Sequence, residues 1–196
     1  MNTLLLGPTP EKLLPCIDSR QNVIFSYNEE IDAQLVLEKQ IDVLVSYNYR
    51  SIIRSDVLSL PSLLAVNLHT SLLPFNRGAH PILWSILEET PLGITIHQID
   101  KGLDTGPIIF QKPLKTPDIK MSLRQIYENV NQELVDLFCK NWPILVSRNF
   151  NARSQLGDGT FHRSAQAKDF LATLKNSWDT TIEDARRQYL EYLKAK

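Results

Sequence analysis

The sequence predicts an α/β fold built on an open, mostly parallel sheet of the Rossmann type, with helices on both faces and a short C-terminal extension. Apolar runs of strand length alternate with helical stretches through the first 150 residues, which is the order that produces parallel sheets. The run at residues 41–46 is apolar at nearly every position, as strands covered on both faces are. Glycine and proline interrupt the chain between these runs, first at residues 7–10.

The elements of the first half follow from these patterns. Residues 31–40 have apolar side chains at helical spacing, and the helix that begins at Pro81 has proline in its first turn, where it is tolerated. The strand at residues 64–68 ends at a pair of polar residues, Asn67 and His69. Strands are predicted at residues 3–6, 23–26, 41–46 and 64–68, and helices at residues 31–40, 51–60 and 81–89.

The second half is predicted to hold two strands, a long helix and the extension. Strands at residues 92–99 and 107–112 are joined by a loop at residues 101–106, and Ser122 caps an amphipathic helix over residues 122–142. A boundary is placed near residue 150. Residues 151–196 contain a loop at 154–160 and helices at 165–174 and 180–194, and we expect so short a segment to pack on the main domain, with a contribution to ligand binding.

Composition limits the classes of partner. The chain is 43% hydrophobic and 22% charged, which is typical of a globular protein, and its net charge is −1. Nucleic acid is not expected as a partner, because no basic patch stands out. No apolar run reaches membrane-spanning length and the N-terminus has no signal-peptide pattern, so we expect a cytoplasmic protein without a membrane partner. Homo-oligomer formation is left open.

Neither the cysteines nor the histidines suggest a metal. Cys16 and Cys139 are far apart and lack metal-ligand spacing, so both are expected to be buried thiols in a reducing cytoplasm. The histidines show no pair at ligand spacing with a carboxylate, and no metal cofactor is expected. They are His69, His80, His97 and His162.

Two stretches of the sequence contain the candidate catalytic residues. They are residues 65–78, and residues 93–97 continuing to 102–109. In the first, a strand that ends in Asn67-Leu68-His69 directs both polar side chains to one face, because side chains in a strand alternate. The second contains Asp104 between two glycines. Ligands of open α/β sheets bind at the carboxyl ends of the strands. An amide, an imidazole and a carboxylate together can polarise a carbonyl, stabilise an oxyanion and transfer a proton.

These stretches resemble the folate-dependent formyltransferase family, whose members carry Asn-x-His-x-Ser-x-Leu-Pro followed by Gly-x-Thr-x-His and Asp-x-Gly. The close match covers residues 41–112, with looser similarity on either side. The resemblance implies the formyltransferase fold, with a catalytic domain over residues 1–150. It also implies transfer of a formyl group from 10-formyltetrahydrofolate, as co-substrate, to a primary amine.

The resemblance gives each polar residue a role. His69 is expected to be the main stabiliser of the oxyanion, and Asn67 to supply a neutral donor. Asp104 is expected to orient His69, to stabilise its charge and to accept the proton of the attacking amine, directly or through water. His97 is expected to be a structural hydrogen-bonding residue near the site.

The same resemblance suggests the ligand contacts. The pterin of the folate is expected to contact backbone groups of the 101–106 loop and of residues 48–57, and the acceptor to contact the turn after the catalytic strand and the segment 159–163. Arg77 is consistent with either an anionic acceptor or an ion pair inside its loop. The predicted folate residues are Asn48, Tyr49, Arg50, Ile53, Val57, Asp100, Gly102 and Gly106, and the predicted acceptor residues are Ser71, Asn76, Arg77, Gly78, His162 and Arg163.

The choice of acceptor is narrowed by excluding two of the acceptors that the family uses. Members of the family formylate glycinamide ribotide, initiator methionyl-tRNA or nucleotide-linked amino sugars, and some relatives hydrolyse the formyl-folate. A phosphate cradle after the first strand needs successive N–H groups, whereas two of residues 7–10 are prolines. A tRNA enzyme is expected to carry a further C-terminal domain and a basic surface, and neither is evident in these 196 residues. A nucleotide-linked amino sugar is therefore the preferred acceptor.

Three alternatives are kept. Two are enzymatic: glycinamide ribotide formylation and hydrolysis of the formyl-folate. The third is a non-catalytic relative that binds folate or nucleotide. Retention of Asn67, His69 and Asp104 together argues against the third, because binding alone has no chemical need for all three.

Overall fold

The computed structural model describes residues 1–20 and 22–195, and its main feature is a six-stranded sheet with strand order β2-β1-β3-β4-β6-β7. A second sheet pairs β5 with β8. The strands are β1 (Asn2–Leu6), β2 (Val23–Tyr27), β3 (Val43–Tyr47), β4 (Leu64–His69), β5 (Arg77–Gly78), β6 (Gly93–Gln98), β7 (Ile108–Pro113) and β8 (Phe161–His162). The helices are α1 (Ala33–Glu38), α2 (Ser55–Leu58), α3 (Pro81–Leu87), α4 (Leu123–Val146), α5 (Ser164–Leu171) and α6 (Ile182–Lys194), and three 3₁₀ helices lie at Pro10–Lys12, Leu14–Cys16 and Ser177–Asp179.

The predicted fold class is confirmed by the strand directions. β1 pairs in parallel with β2 and with β3, and β3 pairs in parallel with β4. β4 and β6 run antiparallel, so the sheet is mixed but mostly parallel. Every residue of β3 is buried, as expected for the continuous apolar run that the sequence places there.

The antiparallel pairing of β4 with β6 brings the polar residues of the two strands together. Asn67 lies opposite His97, and His69 lies opposite Thr95. Because side chains alternate along each strand, all four of these side chains leave the sheet on the same face. This register provides the frame of the candidate site.

Helix boundaries differ from the predictions where a local hydrogen bond or a backbone conformation decides them. The helix predicted at residues 31–40 begins only at Ala33, because the Asp32 carboxylate accepts a hydrogen bond from the Leu35 N–H at 2.8 Å and caps it. The helix predicted at residues 51–60 is the single turn Ser55–Leu58. Arg54 has an extended backbone, with a φ of −73° and a ψ of 157°, so the helix begins only at Ser55.

The long helix α4 continues beyond its predicted end at residue 142. The proline at position 143 would ordinarily end a helix, because proline lacks an N–H and crowds the preceding turn. The helix nevertheless runs to Val146, and the carbonyl of Pro143 accepts a hydrogen bond from the Ser147 N–H at 3.2 Å.

The prediction of two free thiols is wrong for this structure. Cys16 and Cys139 form a disulfide with an S–S distance of 1.90 Å and a Cα–Cα distance of 4.7 Å. The two residues are 123 positions apart, and no local spacing in the sequence signals a bond over that separation.

The described chain divides into two compact units. The first unit has a core of apolar side chains from β1, β3, α1 and α2, including Leu4, Leu44 and Val57. The second unit contains the β5–β8 pair and the helices α3, α5 and α6. The prediction of a catalytic domain ending near residue 150 follows a different division and stays a prediction. The first unit consists of Met1–His69, Thr95–Phe110 and Leu134–Gln155, and the second of Thr70–Ile94, Gln111–Glu133 and Leu156–Lys196.

No helix in the described part of the chain is both long enough and apolar enough to cross a membrane.

Candidate active site

Four polar side chains of the first unit meet on one face of the sheet. The Asn67 amide nitrogen donates to Oδ1 of Asp104 at 3.1 Å and lies 3.2 Å from Nε2 of His97. Nδ1 of His69 lies 3.7 Å from Oδ2 of Asp104, and Nε2 of His97 lies 3.5 Å from Oδ1 of the same carboxylate. The structure thus brings together the predicted amide, imidazole and carboxylate, which are up to 37 residues apart.

The hydrogen bonds identify the tautomer of His97. Its Nδ1 lies 2.7 Å from the carbonyl oxygen of Gln98, and a carbonyl can only accept, so Nδ1 carries the proton. In the neutral ring, Nε2 then accepts from the amide of Asn67. His97 therefore acts as the hydrogen-bonding support that the sequence suggested, and it contacts two of the three predicted catalytic residues.

These contacts also fix the orientation of Asn67. Its amide nitrogen faces the carboxylate of Asp104 and the acceptor nitrogen of His97, whereas the reversed amide would place its oxygen against a carboxylate. Both N–H groups are engaged in this arrangement. Asn67 can donate to a formyl oxygen only after it releases one of them, a constraint that the sequence did not reveal.

His69 is the imidazole at the carboxyl end of β4. It is 6% exposed, and its ring meets that of His97 edge to face, with centroids 6.2 Å apart. Nδ1 is the nitrogen nearer to Asp104. A carboxylate at that position favours the imidazole tautomer that carries its proton on Nδ1.

Asp104 lies in a turn that holds it in a left-handed conformation, with a φ of +55°. The side chain of Asp100 organises this turn, since its Oδ1 accepts from the N–H of Gly102 at 3.0 Å and from the hydroxyl of Thr105 at 2.7 Å. This arrangement is an Asx turn, in which a carboxylate replaces backbone partners. Asp100 and Gly102, predicted to contact folate, are exposed and shape the loop that presents Asp104.

A side chain from the end of the first unit fastens the other side of this loop. The Gln155 amide nitrogen donates to the carbonyl oxygens of Asp104 and Gly106, at 2.8 and 2.9 Å. Sequence reasoning missed Gln155, because it follows the loop by about 50 residues and no local pattern distinguishes it. Gly106 is required for close packing: a Cβ there would lie 1.8 Å from the carbonyl oxygen of Gln98.

The predicted folate segment at residues 48–57 also belongs to the first unit. The hydroxyl of Tyr49 donates to the carbonyl of Glu29 at 2.7 Å, and burial raises the pKa of this phenol, so it stays protonated at neutral pH. Arg50 and Asn48 are exposed. The side chains of Ile53 and Val57 are buried in the apolar core, which leaves only backbone groups for the predicted contacts with a pterin.

The predicted acceptor residues lie in the second unit, and Ser71 and Asn76 hydrogen-bond within the turn and helix that follow β4. The hydroxyl of Ser71 donates to the carbonyl of Phe75 at 2.6 Å. Asn76 is fully buried: its amide nitrogen donates to the hydroxyls of Ser85 at 2.8 Å and Thr90 at 2.6 Å. Its amide oxygen accepts from the hydroxyl of Thr160 at 3.0 Å. Any contact of Asn76 with an acceptor would have to replace one of these hydrogen bonds.

The remaining acceptor residues lie in the β5–β8 pair or directly after it. A guanidinium nitrogen of Arg77 lies 3.4 Å from the carbonyl of Asp158, and Gly78 has a φ of +89°. His162 is buried, with Nε2 at 3.1 Å from a carboxylate oxygen of Glu88. Arg163 is exposed at the start of α5.

No group of three or more histidine, cysteine, aspartate or glutamate side chains is placed to hold a metal ion within residues 1–20 and 22–195.

Comparison with known proteins places the chain among formyl transferases. Residues 19–140 match a family model described as formyl transferase. The methionyl-tRNA formyltransferase of Synechococcus sp. (strain WH7803) is 31% identical over 173 residues, which cover 83% of this chain and 47% of that protein. A stretch of 88 residues is 44% identical to the methionyl-tRNA formyltransferase of Deinococcus radiodurans, covering 27% of its length. The chain thus spans about half or less of these curated relatives.

Solved structures match more completely. The formyltransferase PseJ from Anoxybacillus kamchatkensis is 35% identical with a TM-score of 0.86, covering 95% of this chain and 99% of that one. Its crystal structure is a complex with UDP-4,6-dideoxy-4-formamido-L-AltNAc and tetrahydrofolate. A sugar N-formyltransferase from Shewanella sp FDAARGOS_354 has a TM-score of 0.78 at 22% identity, covering 95% of this chain and 86% of that one, and shares the fold.

Proposed function

The chain belongs to the formyl transferase family, since the family model covers more than half of it, and we propose that it transfers a formyl group from 10-formyltetrahydrofolate to the primary amine of a nucleotide-linked amino sugar. One observation carries the chemical part of this proposal. The amide of Asn67, the imidazole of His69 and the carboxylate of Asp104 come together on one face of the sheet, with separations of 3.1 and 3.7 Å to the carboxylate.

Formyl transfer needs a group that receives a proton and a group that stabilises negative charge. The lone pair of the amine forms a bond to the formyl carbon, and the C=O π electrons move to the oxygen. When this tetrahedral intermediate collapses, the bond from carbon to N10 of the folate breaks, N10 takes a proton and the amine loses one. The free folate and the N-formyl product result. No metal or redox partner is required by this balance.

We assign these tasks by position. The Asp104 carboxylate beside Nδ1 keeps His69 protonated, so that Nε2 donates to the developing oxyanion. Asp104 is also the base for the amine proton, directly or through water. Asn67 supplies a second donor once a ligand takes the place of one of its present acceptors, and His97 keeps the amide in orientation.

Two observations support a nucleotide sugar as acceptor. A relative that is 35% identical over nearly the whole chain was crystallised with a UDP-linked formamido sugar. The turn after β1 is also unsuited to a phosphate cradle. Gly7, the only glycine of this turn, has a φ of +132°, and an added Cβ would lie 1.9 Å from the carbonyl oxygen of Tyr47. Gly7 is therefore explained by strand packing, and the two prolines that follow offer no N–H.

An acceptor panel tests the proposal. The purified chain would be incubated with 10-formyltetrahydrofolate and, separately, with UDP- and dTDP-linked amino sugars, glycinamide ribotide or no amine, and products would be identified by mass spectrometry. We expect N-formyl product only with a nucleotide-linked amino sugar. Formate release without amine would indicate a hydrolase, and transfer only to glycinamide ribotide would contradict the exclusion made from the turn after β1. Calorimetry that detects nucleotide but no folate would favour a non-catalytic binding protein.

The loop that holds Asp104 provides a further prediction. Gly106→Ala places a Cβ 1.8 Å from the Gln98 carbonyl, so the loop must move and the Asp104 carboxylate with it. We expect kcat/KM to fall by about 100-fold, the effect typical of a displacement of about 1 Å at a reacting group. Gly157→Ala is the matched control, because nothing lies within 4 Å of its added Cβ, although its φ of +84° adds some strain. If the Gly106 variant were as active as a fully active Gly157 variant, the loop would not position the carboxylate.

A further inference from the structure

The strand pair β5–β8 presents an exposed aromatic ring that the proposed chemistry does not use. Phe161 is 49% exposed although it lies in a strand. Its ring lies over Gly78, because a Cβ added at that glycine would come within 2.9 Å of Cε2 of Phe161. Backbone therefore supports one part of the ring, while nearly half of the residue remains accessible to a ligand.

Strand alternation places two arginines on the face of the strand pair that carries this ring. β5 and β8 run parallel with Arg77 opposite Phe161, so both side chains leave the pair on the same face. Arg163 lies two residues beyond Phe161 and retains extended backbone, with a φ of −90° and a ψ of 151°, so alternation places its side chain on that face too. In the part of the chain that the structure describes, no carboxylate pairs with the guanidinium of Arg163, which is exposed.

The opposite face of β8 is anchored firmly. His162 is buried and stacks on Trp84, with ring centroids 4.1 Å apart and planes inclined by 10°. Its Nε2 lies 3.1 Å from a carboxylate oxygen of Glu88. Two backbone hydrogen bonds of 2.9 Å join the segments, from the N–H of Arg77 to the carbonyl of Thr160 and from the N–H of Ala79 to the carbonyl of His162. Phe161 is thus held in place without a ligand, which lowers the ordering cost of binding.

From this surface we infer that Phe161 stacks the base of a nucleoside diphosphate while Arg163, with Arg77 beside it, binds the diphosphate. A nucleoside diphosphate offers one planar base and a compact anionic group, which match one ring and the guanidinium groups on the same face. The inference rests on the proposed function, because the acceptor proposed there contains a nucleoside diphosphate. A polynucleotide is disfavoured by the net charge of −1.

Calorimetric titration of the full chain with UDP, and in parallel with dTDP, tests the stacking. We expect Phe161→Ala to raise the Kd of the nucleotide by about 5- to 150-fold, the range measured for loss of base–aromatic stacking. Phe161→Trp retains a ring and should keep the Kd within about threefold. Leu190→Ala, at a 59% exposed apolar position of α6, is the matched control and should leave the Kd unchanged.

The phosphate contact is tested with UDP and uridine together. Arg163→Gln removes the charge at an exposed position, and we expect about a tenfold or greater rise in the Kd for UDP with no change for uridine. Phe161→Ala should weaken both ligands. Arg187→Gln, an exposed arginine of α6 that pairs with Asp184, is the matched control. Equal Kd values for UDP in wild type, Phe161→Ala and Arg163→Gln would overturn the inference, as would a wild-type chain that binds neither nucleotide.

These titrations are independent of turnover, so the two proposals can fail separately. Nucleotide binding that depends on Phe161, without formyl transfer to any nucleotide-linked amine, would leave the inference standing and contradict the proposed function. Transfer to such an amine with an acceptor KM unaffected by Phe161→Ala would sustain the proposed function and remove the inference.

Discussion

Asp104→Asn is expected to lower kcat/KM for formyl transfer by about 10³-fold or more while the protein stays folded. The change preserves size and an oxygen that can accept from the Asn67 amide, which lies 3.1 Å from Oδ1 of Asp104. Asparagine also tolerates the φ of +55° at this position. The charge that favours protonated His69 is lost, however, and so is the base for the amine proton. Removal of an oxyanion donor and of a proton acceptor each typically costs about 10²-fold or more.

The measurement is steady-state formyl transfer, accompanied by thermal unfolding and calorimetric binding of tetrahydrofolate. Asp169→Asn, an exposed aspartate of α5 in the second unit, is the matched control and should keep full activity. A Tm within a few degrees of wild type, retained folate binding and lost turnover are the expected combination. Turnover within threefold of wild type would remove Asp104 from the proposed mechanism.

A feature of this site can be predicted from the sequence when the residues that determine it are close together along the chain, and not when they are far apart. The shared face of Asn67 and His69 follows from strand alternation, a local rule, and the structure places both at the end of β4 as predicted. The direct pairing of Asn67 with His97 depends on the antiparallel direction of β6, which alternation within one strand cannot reveal. The motif resemblance was needed to connect Asp104 with the strand residues.

Other features depend on contacts between distant segments and were not predicted. Gln155 supports the Asp104 loop through two backbone carbonyls, yet nothing near it in the sequence marks it. Asn76 was expected at the acceptor, whereas its burial and its hydrogen bonds to Ser85, Thr90 and Thr160 explain its presence structurally. A polar residue in a motif can thus serve the turn that carries the motif, and only its partners distinguish the two roles.

The fold was easier to predict than the site for the same reason. Continuous apolar runs such as that of β3 report burial on both faces without any knowledge of partners. Helix ends were less accurate, because they depend on single side chains such as that of Asp32 or on the backbone conformation of one residue such as Arg54.

His69→Ala is expected to have the other large effect, a loss of about 10³-fold in kcat with little change in the Kd of tetrahydrofolate. The variant removes the donor proposed for the oxyanion, and one such donor typically contributes about 3 to 4 kcal/mol of barrier, the upper value corresponding to about 10³-fold. His69→Gln retains a neutral donor and should recover about tenfold of the loss if hydrogen bonding contributes separately from charge. His80→Asn is a matched histidine control, since asparagine tolerates the φ of +55° of His80.

A double substitution separates a coupled pair from two independent groups. The distance of 3.7 Å between Nδ1 of His69 and Oδ2 of Asp104 makes coupling the expectation. Residues that act as a unit are strongly non-additive in catalysis, so His69→Ala with Asp104→Asn should lose little more than either single variant. Losses that multiply, to about 10⁶-fold, would mean that the carboxylate and the imidazole serve different steps. In that case Asp104 would act on the amine proton alone, and its contact with His69 would be structural.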